Sequence, residues 1–134
     1  MIRTIYRNSK GNSTTDVPAA HWKVALHDSG GLLWVDFADE PRERVEKLLT
    51  DVFNFHPLAI DDALQQAHVP KVDDWGEYVY IVVHGLSFDE KGYELGTHEI
   101  DAFLGKNFLV THHKNPFLSA DHVWNTCQRD PRYL

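Results

Sequence analysis

One cysteine, one methionine and no long apolar run set the first limits on this 134-residue chain. A lone Cys127 cannot form an internal disulfide, which favours a reducing compartment. No opening segment joins a basic start to an apolar run and a small-residue cleavage site, so no signal peptide is expected. No stretch approaches the roughly 20 apolar residues that span a bilayer, so these residues are not expected to cross a membrane by themselves. Basic residues are also few: 13 Lys and Arg stand against 20 Asp and Glu, a formal charge of −7. Broad contact with a phosphate backbone needs clustered Lys and Arg, so nucleic acid is not an expected partner. An acidic balance is compatible with attracting cations, although most acidic surfaces only confer solubility.

Catalytic signatures are scarce as well. Ser9, Ser13, Ser29, Ser87 and Ser119 lie in no G-x-S-x-G context, and neither glycine pattern for phosphate is present. Cys127 falls on the apolar side of an expected helix and reads as core. The chain is therefore not expected to be an enzyme. What is present is an ordinary globular balance, 43% apolar and 25% charged, in a length that suits one soluble α/β domain. It contains no internal repeat and no low-complexity tract.

Ile2 to Tyr6 alternates like a strand, and Trp22 to Leu26 is read as a second. Gly30-Gly31 turns into Leu32-Leu33-Trp34-Val35-Asp36-Phe37, apolar enough for an interior strand. Two helices follow. Asp39 is expected to cap the first, with Pro41 in its opening turn and Val45, Leu48, Leu49, Val52 and Phe53 along its apolar stripe. The second starts at Pro57 and ends by Val69-Pro70. It turns Ile60, Ala63, Leu64 and Ala67 inward and Asp61, Asp62, Gln65 and Gln66 outward. A meander comes next: Tyr78 to Leu86, a turn at Asp89 to Gly92, Glu94 to Leu104, a turn at Gly105 to Asn107, and Phe108 to His112. A last helix from Ser119 is expected to carry Val123, Trp124 and Cys127 inward, with a break at Asp130-Pro131. The chain stops at Leu134 without a closing cap, as a piece of something longer or a frayed terminus would.

Two groups of side chains suggest cation chemistry. Asp61 and Asp62 offer the oxygen ligands that hard divalent cations such as Mg²⁺ prefer, often one or two carboxylates plus retained waters. Neighbouring helical residues point about 100° apart, so one carboxylate ligates while the other assists through water or faces a partner. A merely solvated helix face is the alternative. The second group is histidine. A symmetric hairpin around Asp89 to Gly92 sets His84 opposite His98, and a turn around Lys106 sets His112 opposite Ile100. All three would then share one sheet face as a Zn²⁺ candidate, a geometry that a one-residue slip destroys.

The phrase His56-Pro57-Leu58-Ala59-Ile60-Asp61-Asp62, followed by Pro70-Lys71-Val72-Asp73 and Tyr78-Val79-Tyr80-Ile81-Val82-Val83, resembles the amino-terminal cytoplasmic domain of the CorA-type magnesium and cobalt transporters. That superfamily also includes zinc-transporting relatives. Trp34-Val35-Asp36-Phe37 and the hairpin from Glu99-Ile100 to Thr111 agree, so the resemblance covers about residues 32–113. It implies a mixed, largely antiparallel sheet flanked by helices, an α/β/α sandwich, on the cytoplasmic side of the cell membrane beneath a homopentameric pore. It further implies a regulatory Mg²⁺ site at Asp62 and Asp61, facing an aspartate on the stalk helix of a neighbouring subunit, with Co²⁺ or Zn²⁺ as further candidate ions.

Asp61 stands where glutamate is usual, and Val69 replaces the arginine of the R-P-K phrase. The family's stalk and membrane helices are not found within residues 1–134. Met1 is the one methionine, so the Gly-Met-Asn pore signature is not there either. A free-standing interaction domain without a metal role and a zinc-transporting relative remain as rival readings.

Overall fold

Leu32-Leu33-Trp34-Val35-Asp36-Phe37 does lie inside the sheet, and its two neighbours define the topology. The computed structural model describes residues 1–65, 69–89 and 94–134. Strands β1 (Ile2–Arg7) and β2 (Ser13–Thr15) are followed by a short helix, α1 (Trp22–His27), and by β3 (Leu32–Ala38). Helices α2 (Arg42–Asp51) and α3 (Pro57–Leu64) come next. The chain returns through β4 (Lys71–Asp74), β5 (Tyr78–Asp89), β6 (Glu94–Gly105) and β7 (Phe108–His113) before α4 (Leu118–Arg129). Among the described residues seven strands form one sheet in the order β2-β1-β3-β7-β6-β5-β4. Every pairing is antiparallel except β3 with β7. The expected mixed, largely antiparallel sheet is the one found.

Alternation along β3 distributes the core. Leu33, Val35 and Phe37 face α2 and α3, meeting Val45, Leu49, Ala59, Ile60, Ala63 and Leu64 in the larger core. Trp34 faces the other way and packs with Ile5 of β1 against Trp124 and Cys127 of α4. Helices thus cover both faces, which makes the α/β/α sandwich. An aromatic cluster closes the larger core: Phe55 stacks on Phe103 at 4.4 Å and meets Tyr78 at 4.5 Å between ring centres.

Three local expectations are corrected. Trp22 to Leu26 is helix α1, not a strand. Trp22 and Ala25 are the buried pair, at a spacing of one helical turn, while Val24 is 70% exposed. Asp39 does not cap α2. It adopts a left-handed φ of 49°, and its N–H donates to the His113 carbonyl at 2.9 Å, extending the β3–β7 pairing past the strand. Pro41 takes the cap position with no side-chain bond. In α4 it is Ala120, Trp124 and Cys127 that turn inward, and Val123 is 50% exposed, about 100° around the helix from Trp124.

Phe55 is 3% exposed and joins the ring cluster to the start of α3. Phe55→Ala is expected to lower stability by about 3–5 kcal/mol through lost burial and a residual cavity. Urea unfolding checks this: the midpoint should fall with the slope unchanged.

Candidate metal site

The sequence builds α3 with little ambiguity. Pro57 occupies its first position, where a missing N–H leaves no bond unmade, and the His56 ring nitrogen accepts the Leu58 N–H at 3.2 Å. Ala59, Ile60, Ala63 and Leu64 are buried, which leaves Asp61 and Asp62 on the outer side with 48% and 39% of their side chains exposed. Gln66 and Ala67 lie outside the described residues.

Neither carboxylate is idle. Asp61 accepts from the Arg42 guanidinium of α2 at 2.7 Å and from the Gln65 side-chain amide. The Gln65 and Arg42 bonds together hold the Asp61 carboxyl below the usual carboxylate range. Asp62 accepts from Lys71 of β4 at 2.7 Å, and the same ammonium pairs with Asp73 at 2.8 Å while lying 5.4 Å from the Tyr80 ring centre. Bonds to Asp62 and then Asp73 push the Lys71 ammonium pKa up. Asp61 therefore ties α3 to α2, and Asp62 ties α3 to β4. These are oxygen donors of the kind Mg²⁺ takes, but they point to different partners and do not converge on one ion. Among the described residues no group of three or more His, Cys, Asp or Glu stands close enough to hold a metal. The residues fit Mg²⁺ in kind while supplying only part of a coordination shell.

The histidine arrangement is corrected by the register. His84 pairs with Glu99, His98 with Gly85, and His112 with Asp101. Each pairing is one residue from the expected one, so His98 lies on the opposite sheet face from His84 and His112. The register is set by burial: Tyr80, Phe103 and Val110 stand side by side across β5, β6 and β7 and all face the larger core. His84 lies 3.4 Å from Glu99, and His98 lies 2.9 Å from the Ser87 hydroxyl. The expected turn at Asp89 to Gly92 falls largely outside the described residues.

Two buried polar groups were not singled out in the sequence. Asp36, fully buried in β3, accepts from Arg3 at 2.7 Å and from the Thr111 hydroxyl, and His113 lies 3.3 Å away. Arg3 continues to Asp121 of α4 at 2.8 Å and lies over the Trp124 ring at 4.5 Å. On the other face, Tyr80 donates to Asp101 at 2.6 Å beside buried His112. Asp36, the one polar residue of the apolar run in β3, was the available signal for the first group, since a buried charge requires a partner, whereas the polar surroundings of Asp101 in β6 gave none.

The domain is of the CorA-like class, as the match to a family model shows. The family model for the CorA-like Mg²⁺ transporter protein matches residues 29–134, and the chain belongs to that family. It is 42% identical over 80 residues to the putative metal ion transporter YfjQ of Bacillus subtilis, covering 60% of this chain and 24% of that protein. It is 30% identical over 97 residues to the cobalt/magnesium transport protein CorA of Thermotoga maritima, covering 72% of this chain and 27% of that protein. The chain spans about a quarter of the length of these curated relatives.

The soluble domain of CorA from Methanocaldococcus jannaschii shares the fold, with a TM-score of 0.66 at 15% identity over 95% of this chain and 46% of that one. The ZntB cytoplasmic domain from Vibrio parahaemolyticus does so with a TM-score of 0.64 at 12% identity, over 93% of this chain and 49% of that one. No helix among the described residues is long and apolar enough to cross a membrane.

The Asp36 network carries a pH signature. Burial opposes the Asp36 charge, yet bonds from His113, Thr111 and Arg3 prevail and hold its carboxyl below the usual range. Its contribution is present above the unfolded value near 3.9 and is lost as pH falls through the folded value. Burial likewise opposes His113 protonation, but Asp36 raises its pKa. That contribution is present below about 6.5 and is lost as pH rises through the folded value. Melting temperature against pH should fall on both sides of a mildly acidic maximum, and His113→Gln should flatten the alkaline side.

Proposed function

We propose that residues 1–134 form the cytoplasmic divalent-cation-sensing domain of a CorA-like magnesium/cobalt transporter. Five copies hang beneath one pore and gate it through Mg²⁺ bound where subunits meet. The observation that carries this reading is the placement of Asp62. In a chain of this family it lies part-exposed on the outer side of α3, with too few neighbouring ligands among the described residues to hold an ion unaided. A site of that kind is completed from outside, by a carboxylate of the next subunit. A bound Mg²⁺ supplies the charge that lets facing carboxylates approach.

Asp62 is the principal ligand. Asp61, held by Arg42 and Gln65, steadies α3 and assists through water. Without the ion, the acidic faces repel and the subunit contacts loosen. This is coupling through differential affinity of one ligand for two assemblies. Co²⁺ suits the same oxygen donors. A zinc-transporting relative is the second reading, supported at the level of fold by the likeness to the ZntB domain. His84, His98 and His112 do not support it, because they divide between two sheet faces.

Mg²⁺ inhibition of transport by the intact protein, with and without Asp62→Ala, tests the sensing role. The variant is expected to stay open at Mg²⁺ concentrations that close the parent, and unchanged inhibition would remove the role. In the isolated chain Mg²⁺ is expected to bind weakly or not detectably, and a tightly held ion in a monomer would contradict the shared site.

A further inference from the structure

Each ring nitrogen of His113, a buried residue at the end of β7, faces a hydrogen-bond acceptor. Nδ1 lies 2.7 Å from the Asn115 carbonyl oxygen, and Nε2 lies 3.3 and 3.4 Å from the two Asp36 carboxylate oxygens. A backbone carbonyl has no hydrogen to give, and the Asp36 carboxylate already takes hydrogens from Arg3 and Thr111. A neutral imidazole carries one N–H and satisfies one of the two acceptors, whereas the imidazolium carries two and satisfies both. We propose that His113 is a proton-operated latch on the linker between β7 and α4. Charged, it ties the Asn115 carbonyl to the buried Asp36 and holds residues 114–117 and the start of α4 on the sheet; neutral, it releases them.

Charge balance around the ring favours the latched state. Asp36 faces it from β3 and Arg3 from β1, and Arg3 bonds onward to Asp121 of α4 at 2.8 Å. Two carboxylates and one guanidinium leave one negative charge in excess, and the imidazolium cancels it. The Met1 amine, Asp39 and Lys114 border the adjoining cleft of about 320 Å³, and the amine is paired with Glu40 at 2.6 Å. Burial opposes His113 protonation, but the bond to Asp36 and the charge of that carboxylate outweigh it and raise the pKa.

The linker is where the proton is felt. Phe117 lies so close to Gly85 of β5 that a Cβ there would come within 2.4 Å of its ring, and its ring centre is 6.5 Å from that of His113. Phe117 also stands at the cap position of α4 without a side-chain bond. Residues 114–117 therefore run between two anchors, an imidazolium at one end and an apolar seat at the other. Loss of the Nε2 hydrogen would set a bare lone pair against a buried carboxylate, so Nδ1 is the atom that gives up its proton. Nδ1 and the Asn115 oxygen are then two acceptors 2.7 Å apart, and they separate. The cleft beside the linker gives it room to withdraw. Because the folded pKa is raised, the latch is closed below about 6.5 and opens as pH rises through the folded value.

The test is an NMR titration of the 134-residue chain from about pH 5.5 to about pH 9, across the range where histidine changes charge. It follows the His113 ring nitrogens, which report protonation and tautomer, beside the Asn115 carbonyl carbon and the amides of residues 114–121. The ring is expected to titrate above about 6.5 and to lose the Nδ1 proton. The Asn115 carbonyl and the amides at the start of α4 should move with the same midpoint, while those of Phe103 and Val110 stay in place. In His113→Gln, which is neutral throughout, the linker transition should be absent. In Asp121→Asn, a change at a part-exposed position, the uncompensated Arg3 charge should lower the midpoint by roughly 0.2–0.7 pH unit, the range of one exposed ion pair. A ring midpoint at or below about 6.5 overturns the latch. So does a ring transition that the Asn115 carbonyl does not follow, or a linker transition that survives in His113→Gln. If His113→Gln does not fold, Asp121→Asn decides: a lowered midpoint shared by ring and linker supports the latch, and an unchanged one overturns it.

Discussion

A single buried carboxylate organises the centre of this domain. Asp36 lies in the middle of β3 with no exposure, and a charge there is tolerated only because Arg3, Thr111 and His113 converge on it. Those partners come from β1 on one side and β7 on the other, so the charge selects both neighbours of the central strand. Arg3 then passes the constraint outward to Asp121 and the Trp124 ring, which fixes α4 on the sheet. Truncating one partner would strand a buried charge, so these residues act as a unit and single deletions in it will not add.

The larger core carries its own buried carboxylate, Asp101, which accepts from Tyr80, but not where the helices meet β3. Leu33, Val35 and Phe37 meet α2 and α3 through apolar contact alone, which keeps those helices firmly seated while their outer sides remain free for charge. Arg42–Asp61 and Lys71–Asp62 are built on that platform. Both pairs are thus surface arrangements outside the packed core.

Much of this was legible in the residues, because apolar period reports burial directly. The meander, the interior strand and the start of α3 follow from it. The failures have physical causes. Trp22 to Leu26 mixes strand-favouring Trp22 and Val24 with helix-favouring Lys23, Ala25 and Leu26, and burial of Trp22 and Ala25 one helical turn apart decides for helix. Histidine geometry failed because face assignment hinges on a register that sequence leaves free by one residue, and the packing of Tyr80, Phe103 and Val110 settled it. Asp62 was legible as an outward carboxylate. Its tie to Lys71 was not, because the pairing depends on how β4 lies beneath α3, which no local pattern encodes.

The one parallel pairing has a consequence for how the domain comes into being. Trp34 of β3 and Thr111 of β7 are hydrogen-bonded across 77 positions of sequence. During synthesis β3 can gain β1 on one edge at once, but its other edge stays open until nearly all of the domain has left the ribosome. Non-local closure of this kind is slow compared with the making of the β5–β6 hairpin. Through that interval the most apolar strand of the chain presents unpaired amides to its surroundings. The polar Asp36 within it, which the finished domain must bury at a cost, makes that waiting strand a poorer template for aggregation.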